Sequence, residues 1–238
     1  MEALLPSSMI NYMSTRKHFF VIGEYYHIYN RGVDKRDVIL DLYDLQRLEE
    51  SFIEFNTENP IGSIYENSFK KGSVELGSKA SKLVDIIAYC FNPNHFHLLL
   101  TPLVENGVEK FMQRIGGYTK YFNNKYKRTG RLFEDKFKSK HVAENRYLIH
   151  VSAYINMNNR DELGSLASKL SKSSFEDYIE ADNQKSICNI RIVLDQFKSK
   201  EDYKRYAIET RRDTLKRKDD LKDLEFEHLE ARLPNGLP

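Results

Sequence analysis

Tryptophan is absent from the 238 residues, cysteine occurs only twice and proline only six times. The two cysteines, Cys90 and Cys188, form no C-x-x-C pair, which excludes a disulfide framework and a four-cysteine zinc site. Such usage suits a reducing cytoplasm. No apolar run approaches the roughly 20 residues that a membrane-spanning helix needs, so no membrane partner is expected. The opening residues (MEALLPSSMINYMSTRKHFF) lack a long apolar stretch after a basic start, so no signal peptide is expected. No repeat of solenoid length recurs, and no P-loop segment is present. The total charge is also uninformative: 37 Lys and Arg against 35 Asp and Glu leave a net of only +2.

What is present is 40% hydrophobic and 30% charged, enough for one good core with an appendage. Residues 25–31 (YYHIYNR) are aromatic and β-prone and are followed by Gly32, which predicts a strand. Residues 41–56 place Leu42, Leu45, Leu48, Phe52 and Phe55 at helical spacing. Residues 58–81 are polar, with Gly, Ser and Lys, and predict a long connection. Two strands follow, 83–90 and 95–101, with "FNPN" turning the chain between them. Residues 107–126 predict a helix with Val108, Phe111, Ile115, Tyr118 and Phe122 on one stripe, weakened by Gly116-Gly117. A fourth strand is expected at 136–142 and a third helix at 144–158. This order, β-α-β-β-α-β-α, fits an α+β fold of the ferredoxin-like, split βαβ kind, with a four-stranded antiparallel sheet and two helices on one face. The expected organisation is a lead-in over 1–20, a main domain over 21–160 and a helical, charged C-terminal extension over 161–238. Within that extension, 209–231 predicts a solvated helix or frayed tail.

Two places carry chemistry. In "NPNHFHLLL" (92–100), strand alternation puts His95 and His97 on one face and Phe96, Leu98 and Leu100 on the other. Short H-x-H spacings also occur as two half-exposed histidines on a hairpin, so the spacing alone is weak. On the third helix Tyr147, His150, Tyr154 and Asn158 share a stripe, apart from the apolar stripe of Leu148, Val151, Ser152 and Ile155. An amphipathic helix with a boundary tyrosine accounts for that pattern as well.

Four blocks in order, "YYHIYNRGVDKRDV" (25–38), "IIAYCFNPNHFHLLLTP" (86–102), "GGYTKYFNNKYKRTGRLFEDKFKS" (116–139) and "RYLIHVSAYINMNN" (146–159), resemble the IS200-like single-tyrosine transposases, which include the REP-associated tyrosine transposases. The resemblance spans about 20–160, and more weakly "SSFEDYIE" and "LDQFKSKEDYKRY" to about 206. It implies the ferredoxin-like core, two metal ligands in His95 and His97, a nucleophile at Tyr154 and a further ligand at Asn158. Related proteins often have Asn-Pro at that last point; here Asn159 follows Asn158, so no proline stops the helix.

The implied reaction is phenolate attack on a DNA phosphodiester, giving a 5′-phosphotyrosine link and a free 3′-OH that later rejoins the strand. A free phenol has a pKa near 10, so about one in a thousand is ionised at pH 7 and help is needed. The expected help is a divalent cation, Mg²⁺ or Mn²⁺, nitrogen ligands favouring Mn²⁺. Residues 110–140 hold ten Lys or Arg and two acids, with seven aromatics interleaved. Arg114, Lys120, Lys125, Lys127, Arg128, Arg131, Lys136 and Lys138, with Arg31 and Lys35, are the expected nucleic-acid contacts, on single-stranded or hairpin DNA. The competing expectation is an inactive hairpin DNA- or RNA-binding module on the same core; a replication initiator or relaxase with the same histidine pair is a third, lowered by the missing helicase segment. The resemblance leaves open a monomer or a homodimer, and with it Tyr154 acting in cis or in trans.

Overall fold

The computed structural model describes residues 19–70, 81–161, 165–180 and 186–220. Strand β1 (Tyr25–Arg31) is followed by a 3-10 turn and helix α1 (Leu42–Glu54). The short α2 (Ile64–Lys70) falls within the expected long connection, of which 71–80 lie outside the described residues. Next come β2 (Val84–Asn92) and β3 (His95–Pro102), then α3 (Gly107–Ile115), α4 (Gly117–Lys125) and β4 (Lys138–Val142). Helix α5 (Asn145–Met157), the two-residue β5 (Lys172–Ser173), α6 (Phe175–Ile179), α7 (Arg191–Leu194) and α8 (Lys200–Asp220) complete the chain.

The sheet order is β4-β1-β3-β2-β5, every neighbouring pair antiparallel. The first four strands in that order are the expected split βαβ arrangement, and β5 adds a fifth strand to the β2 edge. Alternation along the strands makes two cores. On one face Ile28, Phe91, Phe96, Leu98 and Leu100 pack under α1, α3 and α4 through Leu48, Phe52, Phe111 and Phe122. On the other, Ala88, Cys90 and Leu99 pack under α5 through Val151 and Ile155. The third helix thus covers the face opposite the first two.

The helix expected over 107–126 is two helices. It breaks at Gly116, whose N–H turns back to the Gln113 carbonyl (3.1 Å), because two successive glycines give the helix little reason to continue. All seven aromatics of 110–140 are buried or partly buried, so they serve the core rather than form an exposed stacking surface.

The C-terminal residues also differ from expectation. Tyr203, Tyr206, Ala207 and Thr210 form a buried stripe of α8 at i, i+3, i+4 and i+7, so the first half of the helix is docked, and the docked stripe reaches Thr210 of the stretch expected to be solvated. Tyr203 OH accepts from the buried Asn156 amide of α5 (2.6 Å), and Arg211 Nε donates to the Arg160 carbonyl (2.7 Å). Residues 221–231 of the expected tail lie outside the described residues.

Candidate active site

Strand register assembles the site. Across the β1–β3–β2 portion of the sheet, Arg31, His95 and Asn92 lie in one row. Tyr29, His97 and Cys90 form the next, extended by Lys138 on one side and Ser173 on the other. His27 and Leu99 form the third, with Lys140 beside His27. All face α5. The hairpin tip is held from outside by the loop after β1: Gly32 N–H donates to the Asn94 carbonyl (2.7 Å), and Val38 and Ile39 N–H both donate to the Pro93 carbonyl. Glycine is required at 32 because a Cβ there would lie 2.1 Å from the Arg36 carbonyl oxygen.

Helix α5 brings Tyr154 and Asn158 onto this face. Asn158 closes the helix in a right-handed conformation (φ −64°, ψ −25°), its N–H donating to the Ile155 carbonyl, so the helix stops without a proline. Its Oδ1 lies 3.1 Å from His95 Nε2. The Asn92 amide nitrogen bridges both atoms, at 2.8 Å from Asn158 Oδ1 and 3.1 Å from His95 Nε2. Two lone pairs therefore converge on one electropositive group. His95 Nδ1 is 2.6 Å from Asn94 Oδ1, which leaves Nε2 as the nitrogen aimed inward. The half-buried Tyr154 ring stands edge-on to His97 of its own chain, with centroids 5.8 Å apart at 84°, and 6.4 Å from His27.

Burial pushes the Tyr154 phenol up to about 12, while the Arg211 guanidinium and a hydrogen bond with Asn158 pull the other way. The donor set suits a hard or borderline divalent cation. Two cis ligands each about 2.1–2.2 Å from an octahedral ion sit roughly 3 Å apart, and His95 Nε2 and Asn158 Oδ1 have that separation. Among the described residues no group of three or more His, Cys, Asp or Glu side chains gathers to hold a metal, so any cation here depends on the Asn158 amide.

His27, Asn92 and Arg211 escaped the sequence reading. His27 Nε2 lies 2.9 Å from His97 Nδ1 in a buried imidazole pair. Burial, aided by the charge of Lys140, pushes the His27 imidazole down to about 3. In the unfolded chain it returns to about 6.5, so below that pH the unfolded state binds the extra proton. Stability from this source is complete above pH 6.5 and lost as pH falls toward 3. Urea unfolding in chelator should therefore show wild type losing about 2 kcal/mol more than His27→Gln between pH 7 and pH 5. Equal slopes would mean that His27 takes up its proton in the folded protein.

The expected basic contacts divide. Lys35, Lys120, Lys127, Arg131, Lys136 and Lys138 are exposed, although Arg131 pairs with Asp135 at 3.5 Å. Three others have internal partners. Arg114 donates to the carbonyls of Phe55, Thr57 and Glu58. Arg128 donates to Asn123 Oδ1 and the Arg131 carbonyl. Lys125 pairs with Asp41 (2.7 Å) and Asp44 (2.8 Å).

Residues 70–158 match the family model described as "Transposase IS200 like". Over that span, 89 of the 238 residues, the chain is similar to the IS200-like transposases. The matched span holds His95, His97, Tyr154 and, as its last residue, Asn158; β1 with His27 and α8 with Arg211 lie outside it. A solved REP-associated tyrosine transposase bound to a REP hairpin is similar to this chain at 18% identity. The overlap covers 61% of this chain and 72% of that one, with a TM-score of 0.40. No curated protein matches the chain. No described helix is long and apolar enough to cross a membrane.

Proposed function

We propose that the protein cuts and rejoins a DNA strand through Tyr154, on single-stranded or hairpin DNA in the cytoplasm, as an element-mobilising transposase. The observation that carries this reading is convergence within one chain: the Tyr154 ring beside His97, and His95 Nε2 3.1 Å from Asn158 Oδ1. The phenolic oxygen bonds to phosphorus, the P–O3′ bond breaks, and the departing 3′ oxygen takes up a proton. Attack by a 3′-OH reverses the sequence, so the phosphoester energy is kept and no nucleotide is consumed. The position of Tyr154 beside the histidines of its own chain supports a first cut made in cis.

His95, His97 and Asn158 would hold a divalent cation, Mg²⁺ or Mn²⁺, which when bound would polarise the scissile phosphate and offset charge on it. The chain's own residues do the rest. α5 holds the phenol edge-on to the imidazoles, and Arg211 favours its ionised form. Arg31, in the row of His95, and Lys138, in the row of His97, lie on the same sheet face and suit phosphates flanking the cut. Lys35, Lys120, Lys127, Arg131 and Lys136 extend the track, whereas Arg114, Lys125 and Arg128 hold the fold. An unstacked strand fits this face better than duplex, because the nucleophile sits within the sheet–helix groove.

Incubation with pooled 3′-labelled oligonucleotides and Mn²⁺, followed by a denaturing gel, tests the reading. A 5′-phosphotyrosine keeps the 3′ fragment on the protein, so a shifted labelled band is expected, abolished by chelator. Binding without any such band, in Mg²⁺ or Mn²⁺, would make the protein an inactive hairpin-binding module.

A further inference from the structure

The pair His27–His97 is a buried contact between two imidazoles, 2.9 Å from Nε2 to Nδ1, with both side chains nearly inaccessible. Only one proton can lie between two nitrogens at that distance. If His97 Nδ1 carries it, His97 Nε2 presents a lone pair; if His27 Nε2 carries it, His97 Nε2 is itself protonated and cannot ligate a cation. We propose that His27 is a positioning residue that accepts the His97 Nδ1 proton, fixing the tautomer and ring orientation in which His97 Nε2 can bind a divalent cation.

Three features support this. His27 sits on β1 opposite Leu99, one alternation from the Tyr29–His97 row, so backbone pairing fixes its reach to His97. The Tyr29 ring lies 5.8 Å from His97 and 5.0 Å from His27, inclined by 30° and 35° to them, and walls the imidazole pair. Among the described residues His27 Nδ1 is buried with no hydrogen-bond partner, so no donor at that end of His27 holds the opposite tautomer. Histidine ligands elsewhere have their second nitrogen held by a carboxylate, carbonyl or water, and loss of that partner costs roughly 10–100-fold in metal affinity. Here a neutral imidazole takes that place.

The inference rests on the metal reading of the site, and the test separates the two. Mn²⁺ binding is titrated by electron paramagnetic resonance in wild type, His95→Ala, His27→Leu and His27→Gln, with thermal unfolding as the folding control. His95→Ala should abolish site binding. His27→Leu should weaken it by about 10–100-fold, and His27→Gln, whose Oε1 can accept from His97 Nδ1, should restore most of it. If His95→Ala binds as wild type does, or wild type does not bind, the metal reading fails and the proposal with it. If His95→Ala loses the ion but His27→Leu does not, only the proposal is overturned. Should His27→Leu not fold, the wild-type protein still decides: imidazole ¹H–¹⁵N correlation spectra with Zn²⁺ as a diamagnetic ion should show His97 protonated at Nδ1. Protonation at Nε2 overturns the proposal.

Discussion

Tyr154→Phe should abolish the labelled covalent adduct while leaving the protein folded and bound to DNA. The substitution removes one oxygen and keeps the ring that stands against His97 and His27. The phenol makes its hydrogen bond with Asn158, and a single such bond contributes roughly 1 kcal/mol. Stability and DNA affinity should therefore change by no more than about fivefold in the equilibrium constant. The chemistry, by contrast, has no substitute: without the phenolic oxygen no phosphorus–tyrosine bond can form. Tyr147 is the instructive control. It lies two turns earlier on α5, where it stacks with His150 at 6.5 Å between centroids and carries Lys140 over its ring. Tyr147→Phe should leave the adduct intact. An adduct that survives Tyr154→Phe, or disappears with Tyr147→Phe, would move the nucleophile and undo the site as described.

The burial that raises the Tyr154 phenol to about 12 sets the problem the site has to solve. At pH 7 only about one phenol in 10⁵ is ionised at that value, a hundredfold fewer than for free tyrosine. Part of the opposing field comes from Arg211, on α8, a helix outside the matched family span. The guanidinium is held through its Nε by the Arg160 carbonyl, just beyond the end of α5. The C-terminal extension is thus joined to the site at both its apolar stripe and this arginine. Docking through Tyr203 and Asn156 ties the orientation of α8 to that of the helix carrying the nucleophile.

The core fold was legible in the sequence because its signals are local. The β-prone composition of 25–31, the alternation in 95–101 and the helical stripes of 41–56 and 144–158 each need only a short window, and their order selects the split βαβ plan. What lay hidden depended on contacts between distant segments. His27 and His97 are 70 residues apart, and nothing in "YYHIYNR" alone says that its histidine will meet another. The alternation did hold a usable clue: His27, Tyr29 and Arg31 had to share a face, and that face also takes His95 and His97 once β1 pairs with β3. Arg211 sat in a charged stretch read as solvated because the anchoring residues, Tyr203, Tyr206 and Ala207, precede it and are not leucines. Likewise, a run of ten basic residues could not show which of them face carboxylates elsewhere.

Lys125 is the clearest of these, and Asp44→Ala should be among the most destabilising substitutions in the protein. The Asp44 carboxylate is fully buried. It accepts from the Leu40 N–H (2.9 Å), Lys125 Nζ (2.8 Å), Tyr126 OH (2.7 Å) and Tyr121 OH (3.1 Å). Alanine removes the acceptor that four donors share. Tyr126 and Lys125 keep Asp41, which Lys125 reaches at 2.7 Å, but the Leu40 N–H loses the carboxylate it donates to. Removing one side of such a buried pair costs about 3–5 kcal/mol, which for a chain of this size lowers Tm by roughly 10–15 °C. Lys125→Met should cost less, because the carboxylate retains three neutral donors, and the double variant should be less destabilised than the sum of the two singles. Calorimetry reads all three. The same variants separate fold from function: Lys125→Met should lower Tm yet leave the salt dependence of DNA binding as in wild type, whereas Lys138→Met should flatten that dependence by nearly one counterion and leave Tm in place. A Lys125→Met protein of unchanged Tm and flattened salt dependence would return this lysine to the DNA surface and remove it from the junction of α1 with α4.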